Sequence, residues 1–299
     1  MSSADEALDT LWRRACDTGR HAEAIEPLRN AIAAAPEVAG YHFMLGVALQ
    51  GIARYDEAHA SLREALRLRL RHEALPAAAA LEGPRVRVPR TTLACADCRN
   101  HELAVVALRR SMAECVFERA VLFTNRKLEL PDIEVVVIPD IASIADYSRF
   151  MIKTLGDAIH TDFVLVVQYD GYVLSGKRWS ADFLDYDYLG APWSTGGVGN
   201  GGFSLRSRKL LNALRDPRIT QLVPEDIAIC RTYRDLLERE HGIRIAPTEV
   251  ASRFSFETLP PPAPTLGFHG ITHMVRVIDM SEEELAAYRP AGMVTYERS

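Results

Sequence analysis

The feature that most constrains the fold is an internal repeat near the start of the chain, in which seven residues recur after 34 positions. The recurring residues are Leu11, Arg20, Glu23, Ala24, Leu28, Arg29 and Ala31, followed by Leu45, Arg54, Glu57, Ala58, Leu62, Arg63 and Ala65. The leucines return at helical spacing, and the alanines allow two helices to approach closely. A repeat of this period predicts pairs of helices that complete their buried faces by stacking on one another.

These residues resemble tetratricopeptide repeats, two of which would cover about residues 5–71. The resemblance implies a small all-α domain over residues 1–71. A solenoid normally needs about three repeats for stability, so we expect these two to lean on the second domain. Two functions remain open, because the helices could brace that domain or could form a groove for a peptide or protein partner.

The composition changes over residues 72–90, which predicts a linker. Pro76, Gly83, Pro84 and Pro89 break helices in this stretch. Arginines and valines alternate near its end, as on an exposed or edge strand. We therefore predict that a second domain begins at residue 91 and runs to residue 299.

The second domain alternates short apolar runs with helical stretches. Strands are predicted at residues 91–96, 120–123, 133–138 and 163–168, and helices at residues 102–112 and 146–159. This alternation predicts an α/β fold with an open, mostly parallel sheet and helices on both faces. Ligands of such sheets bind beyond the carboxyl ends of the strands. Asp97 and Asp170 each follow a predicted strand, so we expect both on one rim.

Charge and composition restrict the class of protein. Thirty-five basic and 40 acidic residues give a net charge of -5, which argues against binding nucleic acid through bulk positive charge. The longest apolar runs are far shorter than the roughly 20 residues that cross a bilayer, and no signal-peptide pattern opens the chain. The 5 cysteines are scattered and odd in number, as expected for reduced thiols. We therefore expect a cytoplasmic protein without a membrane span.

Three acidic or imidazole motifs could carry chemistry, and each has a structural alternative. Asp170 could hold a divalent metal against a diphosphate, or it could cap the turn at the following glycine. Glu225 and Asp226 open a predicted helix that reaches about residue 240. Acids there suit the helix dipole, but one of them could also take a proton from a hydroxyl group. His269 could be a metal ligand or a residue of a turn.

The densest glycine cluster lies at residues 196–202. Gly197, Gly199 and Gly202 have the spacing of a dinucleotide-binding fingerprint. That fingerprint follows a first strand and opens a helix, whereas this cluster precedes a predicted strand. The context argues against hydride transfer and favours a flexible loop whose backbone approaches a bulky ligand.

Six blocks of residues in the second domain carry a wider resemblance. They are residues 167–171, 186–193, 199–206, 225–226, 254–257 and 267–269. In this order they resemble a bacterial glycosyltransferase-like family that was long treated as a domain of unknown function. The resemblance implies the GT-A fold, which binds nucleotide sugars, and it extends from about residue 91 to residue 270.

The resemblance also implies a role for each candidate residue. Asp170 would be the surviving acid of the metal-binding Asp-x-Asp motif, and His269 would be the second protein ligand of a manganese or magnesium ion. Asp226 would be the catalytic base, with Glu225 orienting the acceptor. The implied donor-binding residues are Asp97, Asn125, Lys153, Gln168 and Asp170. The implied sugar-binding and acceptor-binding residues are Trp193, Asn200, Gly201 and Gly202.

Two features of the sequence depart from the family pattern. Gln168 stands where the first aspartate of the metal motif often stands, so a metal would be held by fewer charges or would be dispensable. A literal Asp-x-Asp sequence occurs at Asp185 and Asp187, but it lacks a long apolar strand before it. We rank it second to Asp170.

The function expected from these residues is transfer of a sugar from a nucleotide diphosphate sugar to an acceptor hydroxyl, with metal assistance and inversion at the anomeric carbon. The helical repeats suggest a peptide or protein acceptor. The alternative is an inactive scaffold that keeps the nucleotide-sugar fold and uses the repeats to bind a protein partner. A nucleotidyltransferase would use a similar sheet and metal, but residues 225–226 and 269 suit sugar transfer better.

Overall fold

The chain divides into a helical unit and an α/β unit in the computed structural model, which describes residues 3–70, 84–257, 259, 263–277, 280 and 284. Residues 3–70 and 271–277 form the helical unit, and the other described residues belong to the α/β unit. Residues 72–83 of the predicted linker lie outside the described residues, as do residues 285–299 of the predicted second domain.

Four helices form the N-terminal part of the helical unit. They are α1 (Ser3–Asp17), α2 (Ala22–Ala34), α3 (Ala39–Gly51) and α4 (Tyr55–Leu70). Ala24, Leu28, Ala58 and Leu62, which recur in the sequence, are fully buried. A Cβ atom on Gly46 would lie 2.6 Å from Cγ of Leu62, so α3 and α4 approach at a distance that needs glycine. This arrangement fits a repeat domain.

Ten strands occur in the described part of the α/β unit. They are β1 (Val86–Arg87), β2 (Thr91–Ala96), β3 (Cys115–Val116), β4 (Arg119–Thr124), β5 (Glu134–Val137), β6 (Phe163–Val167), β7 (Tyr188–Leu189), β8 (Phe203–Ser207), β9 (Ser255–Phe256) and β10 (Gly267–Phe268). Six of them form a mixed sheet in the order β5-β4-β2-β6-β8-β7. β5, β4, β2 and β6 are parallel, whereas β8 is antiparallel to both of its neighbours. β1 pairs with β3, and β9 pairs with β10, each in parallel.

The central strands explain why the sheet forms from these residues. Every residue of β2 and of β6 is buried, as expected for parallel strands that are covered on both faces. Phe123 and Val166 belong to one apolar cluster with Phe150 and Leu155, which lie in the segment that follows β5. The α/β class is thus confirmed, with a mixed six-stranded sheet.

The helices of the α/β unit are mostly short. They are α5 (His101–Glu114), α6 (Ile144–Arg149), α7 (Leu155–Ala158), α8 (Arg208–Ala213), α9 (Glu225–Ile227), α10 (Arg234–Glu240) and α11 (Thr248–Phe254). The predicted helix of residues 146–159 is interrupted by a π-helical turn at Phe150–Thr154, and the predicted helix from residue 225 to 240 by a second one at Ala228–Thr232. The apolar spacing predicts these segments correctly as helical, but it does not reveal the wide turns.

A last helix, α12 (Ile271–Val277), belongs to the helical unit although it follows the α/β unit in sequence. The side chains of Thr272 and Gln50 are joined by hydrogen bonds, Arg69 donates to the carbonyl of Val275, and α12 packs along α4. α12 thus adds a fifth helix to the described part of the helical unit, packed on α4. The predicted second domain, residues 91–299, includes α12, whereas the structure groups α12 with residues 3–70.

Among the described residues, none of the helices is both long enough and apolar enough to span a membrane.

Candidate functional site

Strand order brings several polar segments to one edge of the six-stranded sheet. The parallel strands β5, β4, β2 and β6 end at this edge, and residues 168–171 directly follow β6. β8 begins there, because it is antiparallel to β6 and pairs Phe203 with Val167. The amide of Gln168 donates to the carbonyl of Gly202 at 2.9 Å, so the end of β6 and the loop before β8 lie side by side. This rim is the candidate site.

His269 lies at the centre of the polar contacts. Its Nδ1 atom is 2.8 Å from Oε1 of Glu257, whereas Nε2 is 2.9 Å from Oε1 of Gln168 and 3.2 Å from Oδ1 of Asp170. Burial lowers the pKa of His269, but the charges of Asp170 and Glu257 and their hydrogen bonds outweigh it and raise the pKa well above its usual value. The structure therefore brings together the two predicted metal ligands and adds Glu257, which had been assigned no role.

The donor atoms around Nε2 fit a divalent cation. An amide oxygen, Oε1 of Gln168, and a carboxylate oxygen, Oδ1 of Asp170, both lie within 3.2 Å of the imidazole nitrogen Nε2 of His269. Manganese and magnesium take oxygen ligands, and manganese also takes imidazole. Within the described ranges, no group of three or more His, Cys, Asp or Glu side chains could hold a metal by itself. The set could therefore form part of a metal site that a ligand such as a diphosphate completes.

The glycines of the loop at residues 199–202 lie against the functional side chains. A Cβ atom on Gly202 would come within 2.2 Å of Nε2 of His269, and one on Gly201 would come within 1.7 Å of Oε1 of Glu225. A Cβ atom on Gly199 would come within 1.7 Å of the ring of Trp193. The glycine cluster thus lets one backbone segment pass between three side chains of the protein itself. The predicted close approach to a bulky ligand stays a prediction.

Asn200 occupies a strained position in this loop. Its φ angle is 59°, in the left-handed region that asparagine tolerates better than most residues. Its Oδ1 accepts from the amide of Gly202 at 3.1 Å. Its side-chain Nδ2 is buried, and no described protein atom accepts a hydrogen bond from it. A ligand oxygen could accept that hydrogen bond.

Asp226 lies on the other side of the loop, in α9. Its Oδ2 accepts the amide of Asn200 at 3.1 Å, and its Oδ1 accepts the amide of Ile227 at 2.8 Å. Burial raises the pKa of Asp226 above its usual value, and the charge of Glu257 raises it further, although these hydrogen bonds oppose the shift. Asp226 remains partly exposed, so its carboxylate can be reached from solvent.

Glu225 points away from solvent and faces a buried arginine. Its Oε1 lies 3.2 Å from the guanidinium of Arg206, which is completely buried. Arg206 also donates to Oγ of Ser204 at 3.0 Å and stacks over the ring of Tyr188 at 5.5 Å. Burial raises the pKa of the Glu225 carboxyl, in spite of the opposing charge of Arg206. The sequence suggested that Glu225 orients the acceptor, whereas its contacts in the structure support the glycine loop.

Trp193 forms a half-exposed platform beside the loop. The guanidinium of Arg231 lies 4.2 Å from its ring centre. The backbone amide of Trp193 donates to the carbonyl of Gly197 at 3.1 Å, and Pro192 bridges to Val198, so these residues form a small hairpin. Arg231 thus covers one face of the ring, and the backbone of Gly199 packs against it.

The comparison with protein families gives a match that covers most of these segments. Residues 132–269 match the DUF5672 family. The description of that family is "Protein of unknown function (DUF5672)". The match confirms the predicted resemblance to a domain family of unknown function, and the GT-A fold stays a prediction. It includes the loop at residues 199–202, the two acids of α9, and His269 as its last residue.

Two further comparisons add little to the DUF5672 match. A search of the curated proteins finds none that matches. Among solved structures, the chain is similar to a mutant of the O-GlcNAc transferase of Thermobaculum terrenum, with 20% sequence identity and a TM-score of 0.21. The likeness covers 50% of this chain and 37% of that one, so this chain spans little more than a third of that protein. A likeness at this TM-score indicates neither fold nor function.

Two predicted donor-binding residues precede the DUF5672 segment and have local partners. Oδ1 of Asp97 accepts from the amide of Arg99 at 2.6 Å, and Oδ2 accepts from the side chain of Asn100 at 3.1 Å. The side chain of Asn125 donates to Asp140 at 2.7 Å. Both residues follow strands that end at the candidate rim, but the contacts of Asp97 also explain it as the residue that shapes the turn before α5.

Lys153 and the second-ranked acid pair lie within the DUF5672 segment but away from His269. The amine of Lys153 donates to the carbonyls of Leu214 at 2.8 Å and Asp216 at 3.3 Å. In the described part of the chain, no contact links Lys153 to His269 or to the three side chains around it, Glu257, Gln168 and Asp170. The structure therefore does not bring Lys153 together with the other predicted donor residues.

The literal Asp-x-Asp sequence lies at the opposite end of the sheet. Asp187 accepts from the hydroxyl of Ser207 at 2.6 Å and from the amide of Arg244 at 2.8 Å. Ser207 pairs with Phe163 at the start of β6, whereas Gln168 follows the end of that strand. Asp185 is exposed at the end of a short 3-10 helix. This geometry favours Asp170 over the Asp185 and Asp187 pair.

Sequence reasoning assigned no role to Glu257 or Arg206. Both occurred in the residue blocks that carried the resemblance, but only as letters of a motif. A signal existed for Arg206, since a charged residue in a short strand of buried residues needs a partner. Glu257 had no comparable signal, because its place beside His269 depends on the pairing of β9 with β10.

Proposed function

We propose that this protein transfers a sugar from a nucleotide diphosphate sugar to a hydroxyl group of an acceptor. The observation that carries the proposal is the arrangement of Asp226 and His269 on two sides of the loop at residues 199–202. The backbone amide of Asn200 donates to Oδ2 of Asp226 at 3.1 Å, and Gly202 packs against the ring of His269. A proton acceptor and a set of cation ligands thus lie one short loop apart, at the rim where sheets of this class bind ligands.

Asp170, His269 and Gln168 are the residues that would hold a manganese or magnesium ion. When bound, the ion supplies Lewis-acid stabilisation of the charge that develops on the leaving diphosphate. The amide of Gln168 is neutral, so the carboxylate of Asp170 and the diphosphate itself would supply the negative charge. We therefore expect a nucleoside diphosphate to strengthen metal binding.

Asp226 would remove the proton from the acceptor hydroxyl as that hydroxyl attacks the anomeric carbon. Attack opposite to the leaving diphosphate inverts the configuration at that carbon. Burial raises the pKa of Asp226, which makes its carboxylate a stronger base than an exposed aspartate. General-base assistance of this kind contributes roughly 10²- to 10⁴-fold in rate.

The loop and the platform beside it would bind the sugar and the acceptor. Gly201 and Gly202 let the loop pack directly against Glu225 and His269, where a side chain would collide with them. The buried Nδ2 of Asn200 has no acceptor among the described atoms, so it is suited to donate to a sugar hydroxyl. Trp193 would pack against a sugar ring. Asp97 and Asn125, on the same rim, would contact the nucleotide.

The helical unit supports a peptide or protein as the acceptor, since stacked helix pairs commonly bind peptides. Deletion of residues 1–71 is not a clean test, because it would remove the helices on which α12 packs. Acceptor selectivity of the full chain is a better measure. We expect a lower KM for a glycosylated or hydroxyl-bearing peptide than for the same free sugar or amino acid, at an unchanged KM for the donor.

Thermal-shift measurements test the proposal on the whole protein. Nucleoside diphosphates and their sugars would be screened with and without manganese, since a ligand present at 100 times its Kd stabilises the folded state by about 2.7 kcal/mol. We expect the nucleoside diphosphate of one particular nucleobase, and its sugars, to raise Tm, and manganese to enlarge that increase in Tm. The proposal is wrong if no nucleoside diphosphate or nucleotide sugar raises Tm under either condition.

A further inference from the structure

We propose that Glu257 is a positioning residue that holds His269 by Nδ1 and thereby turns Nε2 toward the cation ligands Asp170 and Gln168. The inference rests on the proposed function, since it concerns the same site. No role in that function has been given to Glu257 so far.

The two nitrogens of His269 have different surroundings. Oε1 of Glu257 is 2.8 Å from Nδ1, on one side of the ring. On the other side, Nε2 is 2.9 Å from Oε1 of Gln168 and 3.2 Å from Oδ1 of Asp170. Because Glu257 blocks access to Nδ1, Nε2 is the nitrogen that can bind a cation together with Asp170 and Gln168.

The backbone keeps this orientation in place. The parallel register of β9 and β10 pairs Phe268 with Phe256, and the amide of His269 donates to the carbonyl of Phe256 at 3.0 Å. Glu257 and His269 are therefore adjacent because each is the first residue after one of the paired strands. The amide of Gly270 donates to the carbonyl of Asp170 at 3.1 Å, which ties the same turn to the end of β6.

Packing limits the rotation of the imidazole ring. Gly202 lies so close to the ring that a Cβ atom there would be 2.2 Å from Nε2 and 2.3 Å from Cδ2. The side chain of His269 is 15% exposed and that of Asp170 is 9% exposed. A ring held at its backbone, at one face and at Nδ1 has few alternative rotamers.

The chemical consequence follows from the two tautomers of a neutral imidazole. One nitrogen carries the proton and the other carries the lone pair, and a cation binds the lone pair. When a cation replaces the proton on Nε2, the carboxylate of Glu257 accepts the Nδ1 proton at 2.8 Å and the lone pair lies on Nε2, beside Asp170 and Gln168. Carboxylates that hold a metal-binding histidine in this way typically account for 10- to 100-fold in metal affinity.

Manganese affinity measured by electron paramagnetic resonance, with Mn²⁺ alone as the probe, tests the inference without an activity assay. We expect Glu257→Leu to weaken Mn²⁺ binding on the order of 10- to 100-fold. Glu257→Gln keeps an oxygen that can accept the Nδ1 proton but loses the charge, so its loss should be smaller. Glu249 is an exposed glutamate of α11, and the same two substitutions there should leave the affinity unchanged.

Nitrogen-15 spectra of the histidine ring provide a readout that a merely structural role would not change. In the Mg²⁺-loaded protein, the proton of His269 should reside on Nδ1, and Glu257→Gln should make the two tautomers more equal. If Glu257→Leu does not fold, the affinity and spectrum of Glu257→Gln decide. The inference is overturned if this variant binds Mn²⁺ as tightly as the unchanged protein and shows the same tautomer.

The outcomes separate the inference from the proposed function. Failure of the unchanged protein to bind Mn²⁺ overturns the metal site and the role of Glu257 together. Binding of Mn²⁺ that depends on Glu257, with no turnover of any nucleotide sugar, supports the inference and contradicts the proposed function. Turnover with Mn²⁺ affinity independent of Glu257 supports the proposed function and contradicts the inference.

Discussion

Asp226 shows at the scale of a single residue how the site affects acid-base chemistry. Burial raises its pKa, the carboxylate of Glu257 raises it further, and Arg206 lowers it. Tyr188 and Cys230 also face it, and burial keeps both protonated because it raises their pKa values well above the usual range. A base must be ionised, so kcat should rise with pH through a pKa above that of an ordinary aspartate.

A pH-rate profile of the full chain checks this expectation, and the stability of Asp226→Asn provides a second test. In the pH range between the unfolded and the folded pKa, the folded state binds more protons than the unfolded state. Ionisation of Asp226 therefore lowers stability as the pH rises through that range. At neutral pH, Asp226→Asn should melt higher than the unchanged protein, and the difference should shrink on acidification. A rate that falls as pH rises from 4 to 7 would exclude Asp226 as the base, on the general-base argument above.

The buried pair of Arg206 and Glu225 predicts a large effect on stability. Arg206→Leu leaves the carboxylate of Glu225 buried without its partner, which typically costs about 3–5 kcal/mol. The double substitution Arg206→Leu with Glu225→Leu should cost less than Arg206→Leu alone, because no charge is left buried. Urea denaturation measures both. The exposed pair of Arg239 and Asp235 is a matched control, for which loss of the arginine should cost about 0–1 kcal/mol.

Equal stability of Arg206→Leu and of the unchanged protein would contradict the pairing that the structure shows. The pairing would also be contradicted if the double variant, Arg206→Leu with Glu225→Leu, were less stable than Arg206→Leu alone. Either result would leave Glu225 free for the acceptor role that the sequence suggested.

At the scale of secondary structure, the sequence predicted the strands better than the helices. The predicted strand at residues 163–168 contains the apolar run 163–167, which is bounded by Asp162 and Gln168, and the strand Phe163–Val167 coincides with that run. The predicted helix at residues 146–159 contains the π-helical turn Phe150–Thr154. A π turn is built from the same residue types as an α turn and adds one residue to a single turn, so a short apolar pattern does not distinguish the two.

The same distinction between local and distant contacts explains which site residues were predictable. Asp170 and the loop at residues 199–202 could be predicted, because a strand end and a glycine cluster are local patterns. The role of Glu257 could not, because it depends on the register of two strands that are each two residues long.

The packing of α12 predicts where a core substitution will act. Met274 is fully buried in the helical unit, and replacing a buried methionine by alanine typically costs about 2–5 kcal/mol. Met274→Ala should therefore accelerate amide hydrogen exchange in α3 and α4. Met151, which is buried in the α/β unit, is a matched control, because Met151→Ala should accelerate exchange there instead. Unchanged exchange in α4 of Met274→Ala would contradict the packing.

At the scale of the whole molecule, the chain joins a helical repeat unit to an α/β unit whose rim carries the candidate site. Repeat period and strand alternation predicted these two classes of structure, since both are set by short-range patterns. The return of residues 271–277 to the helical unit was not predictable, because a short apolar helix can pack on many surfaces. We propose that the α/β unit transfers the sugar at this rim and that the helical unit binds the acceptor.

Release of nucleoside diphosphate from a panel of nucleotide sugars, with manganese and a peptide acceptor, tests the central claim most directly. We expect saturable release from one donor class by the unchanged protein. In Asp226→Asn we expect turnover to fall roughly 10²- to 10⁴-fold, while the nucleotide still raises Tm as in the unchanged protein. Saturable nucleotide-sugar binding without release from any donor, or equal turnover in Asp226→Asn, would contradict the proposed glycosyl transfer with Asp226 as its base.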